Sequence, residues 1–153
     1  MISRPPRSAL FKLSALAVLV ALLLWGCGSP QSISRGTAEA TGKAFVEAME
    51  AGDYESVAKG FDYQAYARRE NPDWDTFGEA QRQLIIGKLQ EDKAAEMRAL
   101  SGMFTGEVTV AEVAEREGRA QATVNAGASV LVLHMARMGE SWYLRRIEEG
   151  TAL

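Results

Sequence analysis

From residue 37 onward the chain reads first in a helical period and then in a period of two. Thr41, Ala44, Phe45, Ala48 and Met49 recur at three- and four-residue steps, with Glu39, Lys43, Glu47 and Glu50 opposite them, which predicts an amphipathic helix ending at Gly52. Asp53 caps a second, shorter helix through Lys59, with Tyr54, Val57 and Ala58 facing inward and Gly60 closing it. The stretch from Phe61 to Trp74 is aromatic but irregular and is broken by Pro72. Thr76-Phe77-Gly78-Glu79 has the spacing of a capping box ahead of Leu84, Ile85, Leu89, Met97 and Leu100, so a long third helix is expected, interrupted at Gly87.

After Gly106 the alternation changes. Val108 and Val110 alternate with Glu107 and Thr109, and Ala120, Ala122 and Val124 with Gln121 and Thr123, the pattern of half-buried strands. Val130–Met135 is apolar on both faces except at His134, as in a central strand, and Trp142–Ile147 follows the Gly139-Glu140 turn. Glu117-Gly118 and Ala126-Gly127 supply the other two turns, and the phase slip between Val110 and Val113 predicts a β-bulge. Helices followed by a four-stranded meander give an α+β domain, its N-terminal helices packed on one face of a curved antiparallel sheet. The 117 residues from Thr37 to the end suffice for one such domain, spanning 37–149, and are too few for two.

The first 26 residues follow a different logic. Arg4, Arg7 and Lys12 precede Leu13–Trp25, an uncharged run of 13 residues made almost wholly of Leu, Ala and Val. That is the layout of an export signal. A membrane-crossing helix needs about 20 apolar residues, and this run meets Gly26, Gly28 and Pro30 first. Residues 28–36 lack periodicity and are rich in turn formers, so a short flexible tether is expected there.

Leu24-Trp25-Gly26-Cys27 resembles the lipobox of bacterial lipoproteins: an aliphatic residue, two further positions ending in a small one, then Cys. The resemblance implies cleavage between Gly26 and Cys27 and lipid on Cys27, with Trp25 bulkier than that pattern usually carries. Gly28 after the Cys implies, by the same analogy, an outer-membrane location facing the periplasm. Two or more acyl chains anchor stably where one does not. Cys27 is the single cysteine, so no disulfide is expected. Loss of Arg4, Arg7 and Lys12 with the signal leaves 14 basic residues against 20 acidic ones, a net charge of about −6 that disfavours nucleic acid and anionic lipid surfaces as partners.

Ala44-Phe45-Val46-Glu47-Ala48-Met49-Glu50-Ala51-Gly52-Asp53-Tyr54 resembles the opening helix and turn of small nuclear transport factor 2-like lipoproteins of the cystatin-like type, and Trp142-Tyr143-Leu144-Arg145-Arg146-Ile147 resembles their last strand. The resemblance implies a curved sheet wrapped around helices to make a cone. That fold serves enzymes, ligand binders and adaptors alike, so function has to come from particular residues.

Some relatives of the fold are isomerases that need a carboxylate base in an apolar pocket, for which Asp62, Tyr63 and Tyr66 are the candidates here; their ordinary reading is a turn cap and a roof of aromatics. His134 is the sole histidine and lacks companions at ligand spacing, so neither a metal site nor a triad is expected, and no cofactor. Trp74, Trp142 and Tyr143 are candidates for a pocket mouth, with core packing as the plainer alternative. Arg145 and Arg146, adjacent in a strand, are expected to face opposite sides and not to clamp one ligand. Two functions remain: a non-catalytic, lipid-anchored envelope module that binds a protein or cell-wall component, and a pocket protein for a small apolar molecule, either carrier or isomerase-like, using Tyr63, Tyr66, Trp74, His134 and Trp142. The absence of a catalytic constellation favours the first.

Overall fold

The structure, a computed structural model, describes residues 31–150. Gly26, Cys27 and the expected export signal lie outside the described residues. Among the described residues no helix is long and apolar enough to cross a membrane.

Helix α1 (Ala38–Ala51) begins where the Thr37 side chain accepts the Ala40 N–H, and it ends at Gly52, whose φ of 71° is the left-handed conformation that glycine adopts without strain. Its buried face carries Thr41, Ala44, Phe45 and Met49, as the periodicity predicts, and reaches round to Ala38, Gly42 and Val46. Helix α2 (Tyr54–Lys59) is capped by Asp53, whose carboxylate accepts the Ser56 N–H at 3.1 Å and the Ser56 hydroxyl at 2.6 Å. The stretch read as irregular contains helix α3 (Tyr63–Glu70), capped by Asp62, and a single 3₁₀ turn at Trp74–Thr76. Only Tyr63 and Ala67 of α3 are buried, an i, i+4 pair too sparse to register as a period.

Helix α4 (Glu79–Leu100) runs unbroken through Gly87. Its N-cap is Gly78, without a side-chain cap, and the Thr76 hydroxyl donates instead to the Asp73 carbonyl, so the expected capping box does not form. Leu84, expected inward, is 76% exposed, because Ile86, Leu89, Ala94 and Met97 form the face of α4 that meets the core and Leu84 lies on the opposite side of the helix.

Strands β1 (Val108–Arg116), β2 (Arg119–Ala126), β3 (Ser129–Met138) and β4 (Ser141–Gly150) form one antiparallel sheet in sequence order. The fold class is the expected one: α+β, helices followed by a four-stranded antiparallel sheet. The predicted bulge is present between Val110 and Glu112. A second, unpredicted bulge falls in β4, where His134 pairs with Arg146 but Met135 with Leu144, leaving Arg145 as the extra residue. Leu131, Leu133 and Met135 are buried on the helix-facing side of β3, whereas Val130, Val132 and His134 on the outer side are half-buried, so β3 is covered on one face only. The core between α1 and the sheet is filled by Phe45, Met49, Val124, Leu131, Leu133 and Leu144, with Trp142 and Met97 closing it.

Residues 31–36, expected as the outer part of a tether, pack on the domain. Ile33 is 2% exposed, its N–H donates to the Ser56 carbonyl, and Arg35 bridges to Trp142 at the free edge of β4. Gly60 makes room for this: a Cβ there would stand 2.3 Å from Ile33 Cγ1. Ile33→Ala removes a buried branched side chain and is expected to cost about 2–5 kcal/mol, and Gly60→Ala about 1–3 kcal/mol through overpacking. Urea denaturation checks both, and a neutral Ile33→Ala would show that the strap contributes nothing to the fold.

Candidate functional site

Residues 60–62 lie along the edge of β4. Leu144 N–H donates to the Gly60 carbonyl at 2.8 Å, and Asp62 N–H donates to the Leu144 carbonyl at 3.0 Å. This parallel contact delivers Asp62 to the point where the β4 bulge turns Arg145 aside, and Arg145 Nη2 stands 3.1 Å from Asp62 Oδ2. Asp62 Oδ1 accepts the Ala65 N–H at 3.1 Å, capping α3. Both oxygens of the carboxylate, whose side chain is only 4% exposed, are thereby engaged.

Around this pair, α3, α4 and β4 enclose a cleft of about 680 Å³. Phe61, Tyr66, Leu89 and Ile147 give it apolar and aromatic walls, and Arg69, Lys93 and Arg145 are among its cations. Lys93 stacks over the Phe61 ring at 4.9 Å and pairs with Glu96; Arg69 stacks over Tyr66 at 5.1 Å and pairs with Glu70. Tyr63 donates its hydroxyl to the Ala58 carbonyl at 2.6 Å, and burial, reinforced by the Glu96 charge, pushes its ionisation well above the ordinary tyrosine range.

The five residues considered for a pocket are not brought together. Tyr63 and Tyr66 line the cleft. Trp74 is buried against Phe77, with Arg82 over its ring, and Trp142 is a core residue 1% exposed. His134 lies on the outer face of the sheet, where its Nε2 is 2.8 Å from Glu148 Oε2 and its Nδ1 3.3 Å from Gln121 Nε2. Since an amide nitrogen only donates, Nδ1 accepts from Gln121, and Nε2 carries the hydrogen toward Glu148. Tyr143 is half-buried on that same face, paired with Ala136. The cleft residues that sequence reasoning passed over as site candidates are Lys93, Glu96, Leu89 and Ile147. Leu89, Lys93 and Glu96 do follow an i, i+4, i+7 spacing, but nothing local separates a cleft wall from a solvated face.

Arg145 and Arg146 depart from simple alternation because the bulge lies between Leu144 and Arg146. Arg145 turns to Asp62, Arg146 to Glu148 at 3.1 Å, and both border the cleft.

No family model matches the chain, and no curated protein matches it. Among solved structures it is similar to a Campylobacter jejuni protein provisionally named a nuclear transport factor 2-like transpeptidase, with 16% identity over 69% of this chain and 94% of that one, and a TM-score of 0.43. At that identity and TM-score no residue role transfers.

Tyr63 generates a pH prediction. Its folded form holds the proton to higher pH than the unfolded chain, so above about pH 10 the unfolded state binds fewer protons and stability falls as pH rises. Tyr63→Phe is expected to cost about 1 kcal/mol at pH 7 through the lost hydrogen bond, and to flatten the alkaline decline. Denaturation midpoints between pH 7 and 11 check this; an unchanged alkaline slope in the variant would assign the decline to other groups.

Proposed function

We propose that this chain is a lipid-anchored protein of the bacterial cell envelope whose domain is a non-catalytic binding module, with the cleft between α3, α4 and β4 as its binding face. The observation that carries the non-catalytic reading is the commitment of the acid–base candidates to structure. Asp62 caps α3 with one oxygen and pairs with Arg145 through the other, and the Tyr63 hydroxyl is given to a backbone carbonyl. A general base needs a carboxylate free to reach substrate, and this one is spoken for.

The anchor reading rests on the Leu24-Trp25-Gly26-Cys27 pattern after a charged and then apolar leader. Cys27 precedes the buried Ile33 by six positions, so lipid on it stands at most about 20 Å of chain from the folded unit. The domain therefore sits close against the membrane. Gly28 favours the outer membrane, facing the periplasm, and the acidic balance favours an envelope protein or cell-wall component as partner over nucleic acid.

Labelled palmitate is expected to enter the wild-type protein and not Cys27→Ser; label in both, or in neither, overturns the anchor. Native mass spectrometry of the protein extracted gently from its envelope tests the module separately: a retained protein or cell-wall partner, lost in Tyr66→Ala, is the expected result. A stoichiometric small apolar molecule in its place reverses the reading toward a carrier.

A further inference from the structure

On the outer face of the sheet the register places side chains in rows. Arg116, Arg119, Ala136 and Tyr143 make one row across the four strands, and Ala114, Gln121, His134 and Arg146 make the next. Arg116 and Arg119 are thus direct cross-strand neighbours, an arrangement in which like charges oppose folding. A sequence of net negative charge tolerates this at one end of its sheet.

The charges in these rows are unequally satisfied. Arg146 is neutralised by Glu148 at 3.1 Å, and Glu148 is also held by His134, which is held by Gln121, so this network is fixed from β2 to β4. Arg116 has only Glu117, the next residue, at 3.6 Å, with both side chains more than four-fifths exposed. Arg119 pairs with no carboxylate among the described residues. Arg116, Arg119 and Arg146 border a cleft of about 960 Å³ whose floor includes Ala136, a side chain too small to fill the space, while Glu115 and Glu117 supply the acidic side of its rim.

From this we infer that the Arg116–Arg119 end of the outer sheet face is a binding site for a compact oxyanion, a phosphate or a carboxylate group. Two arginines at paired positions of adjacent strands can bring both guanidinium groups to the oxygens of one such group, and the anion removes the repulsion between them. Arg146 and His134, fixed by Glu148, hold the neighbouring wall. The outer cleft shares Arg145 and Arg146 with the Asp62 cleft, but Arg116 and Arg119 border the outer one alone, and the site does not depend on lipidation.

The test uses the full chain in neutral detergent at low ionic strength, titrated calorimetrically with inorganic phosphate and, in a parallel arm, with citrate. Saturable binding of at least one is expected, with the preferred arm deciding between phosphate and carboxylate ligands. Arg119→Ala and Arg116→Ala should each weaken it about tenfold or more, Arg119→Lys should restore little because an ammonium lacks the fork, and Arg68→Ala, on α3, should leave it unchanged. The thermal midpoint of Arg119→Ala should be equal to or higher than the wild type, and the added anion should raise the midpoint of the wild type only. No saturation by either anion, equal loss in Arg68→Ala, or full binding in Arg119→Ala overturns the assignment.

Discussion

The free edge of β4 is the constraint on which the rest of the structure depends. A last strand presents unpaired N–H and C=O groups, and here they are met in turn by Arg35, Gly60 and Asp62. Closing the edge in this way requires the chain before α1 to run alongside the sheet and the α2–α3 connection to lie flat against Leu144. Ile33 fills the gap between these two segments at Gly60, where only a hydrogen fits. The same contact sets the start of α3, fixes Asp62 beside the bulge, and opens the cleft between α3, α4 and β4. One edge-covering device therefore links the N-terminal segment, the helix order and the candidate site.

Electrostatics divides the molecule along β4. On the helix side each of Arg69, Lys93 and Arg145 has a carboxylate partner, and two of these cations lie over aromatic rings as well. The exposed pairs Arg69–Glu70 and Lys93–Glu96 contribute little net stability, whereas the buried Asp62 carboxylate depends on Arg145 to balance its charge. On the outer face, Arg116 and Arg119 face each other without that balance. The bulge at Arg145 joins the two regions, sending one arginine inward to Asp62 while the next stays with Glu148.

Much of the architecture was legible along the chain. The cap at Asp53, the stop at Gly52 and the period-two alternation of β2 are each fixed by neighbours a few residues apart, and each stands where the pattern puts it. The failures are equally physical. Tyr63–Glu70 buries too narrow a stripe to announce a helix, and Thr76 and Glu79 have capping-box spacing although the helix starts at Glu79 itself. Leu84 lies among apolar neighbours in α4 but on the side of the helix opposite Ile86 and Met97, which face the core. Of the candidate site, Tyr63 and Tyr66 were found, whereas Trp74, Trp142 and His134 were drawn in by residue type and lie elsewhere.

By itself the sequence determined what local periodicity and composition can encode: two capped helices, a long third one, a four-stranded meander, an acidic domain, and a leader with the pattern of a lipidated export signal. Tertiary structure alone decided that residues 31–36 belong to the fold, that Asp62 meets Arg145 across a separation of 83 positions, and that Arg119 stands opposite Arg116 without a carboxylate. The reason is that strand register, bulge position and edge closure are settled by long-range pairing, in which each residue's neighbours are chosen by the whole chain and not by the residues beside it.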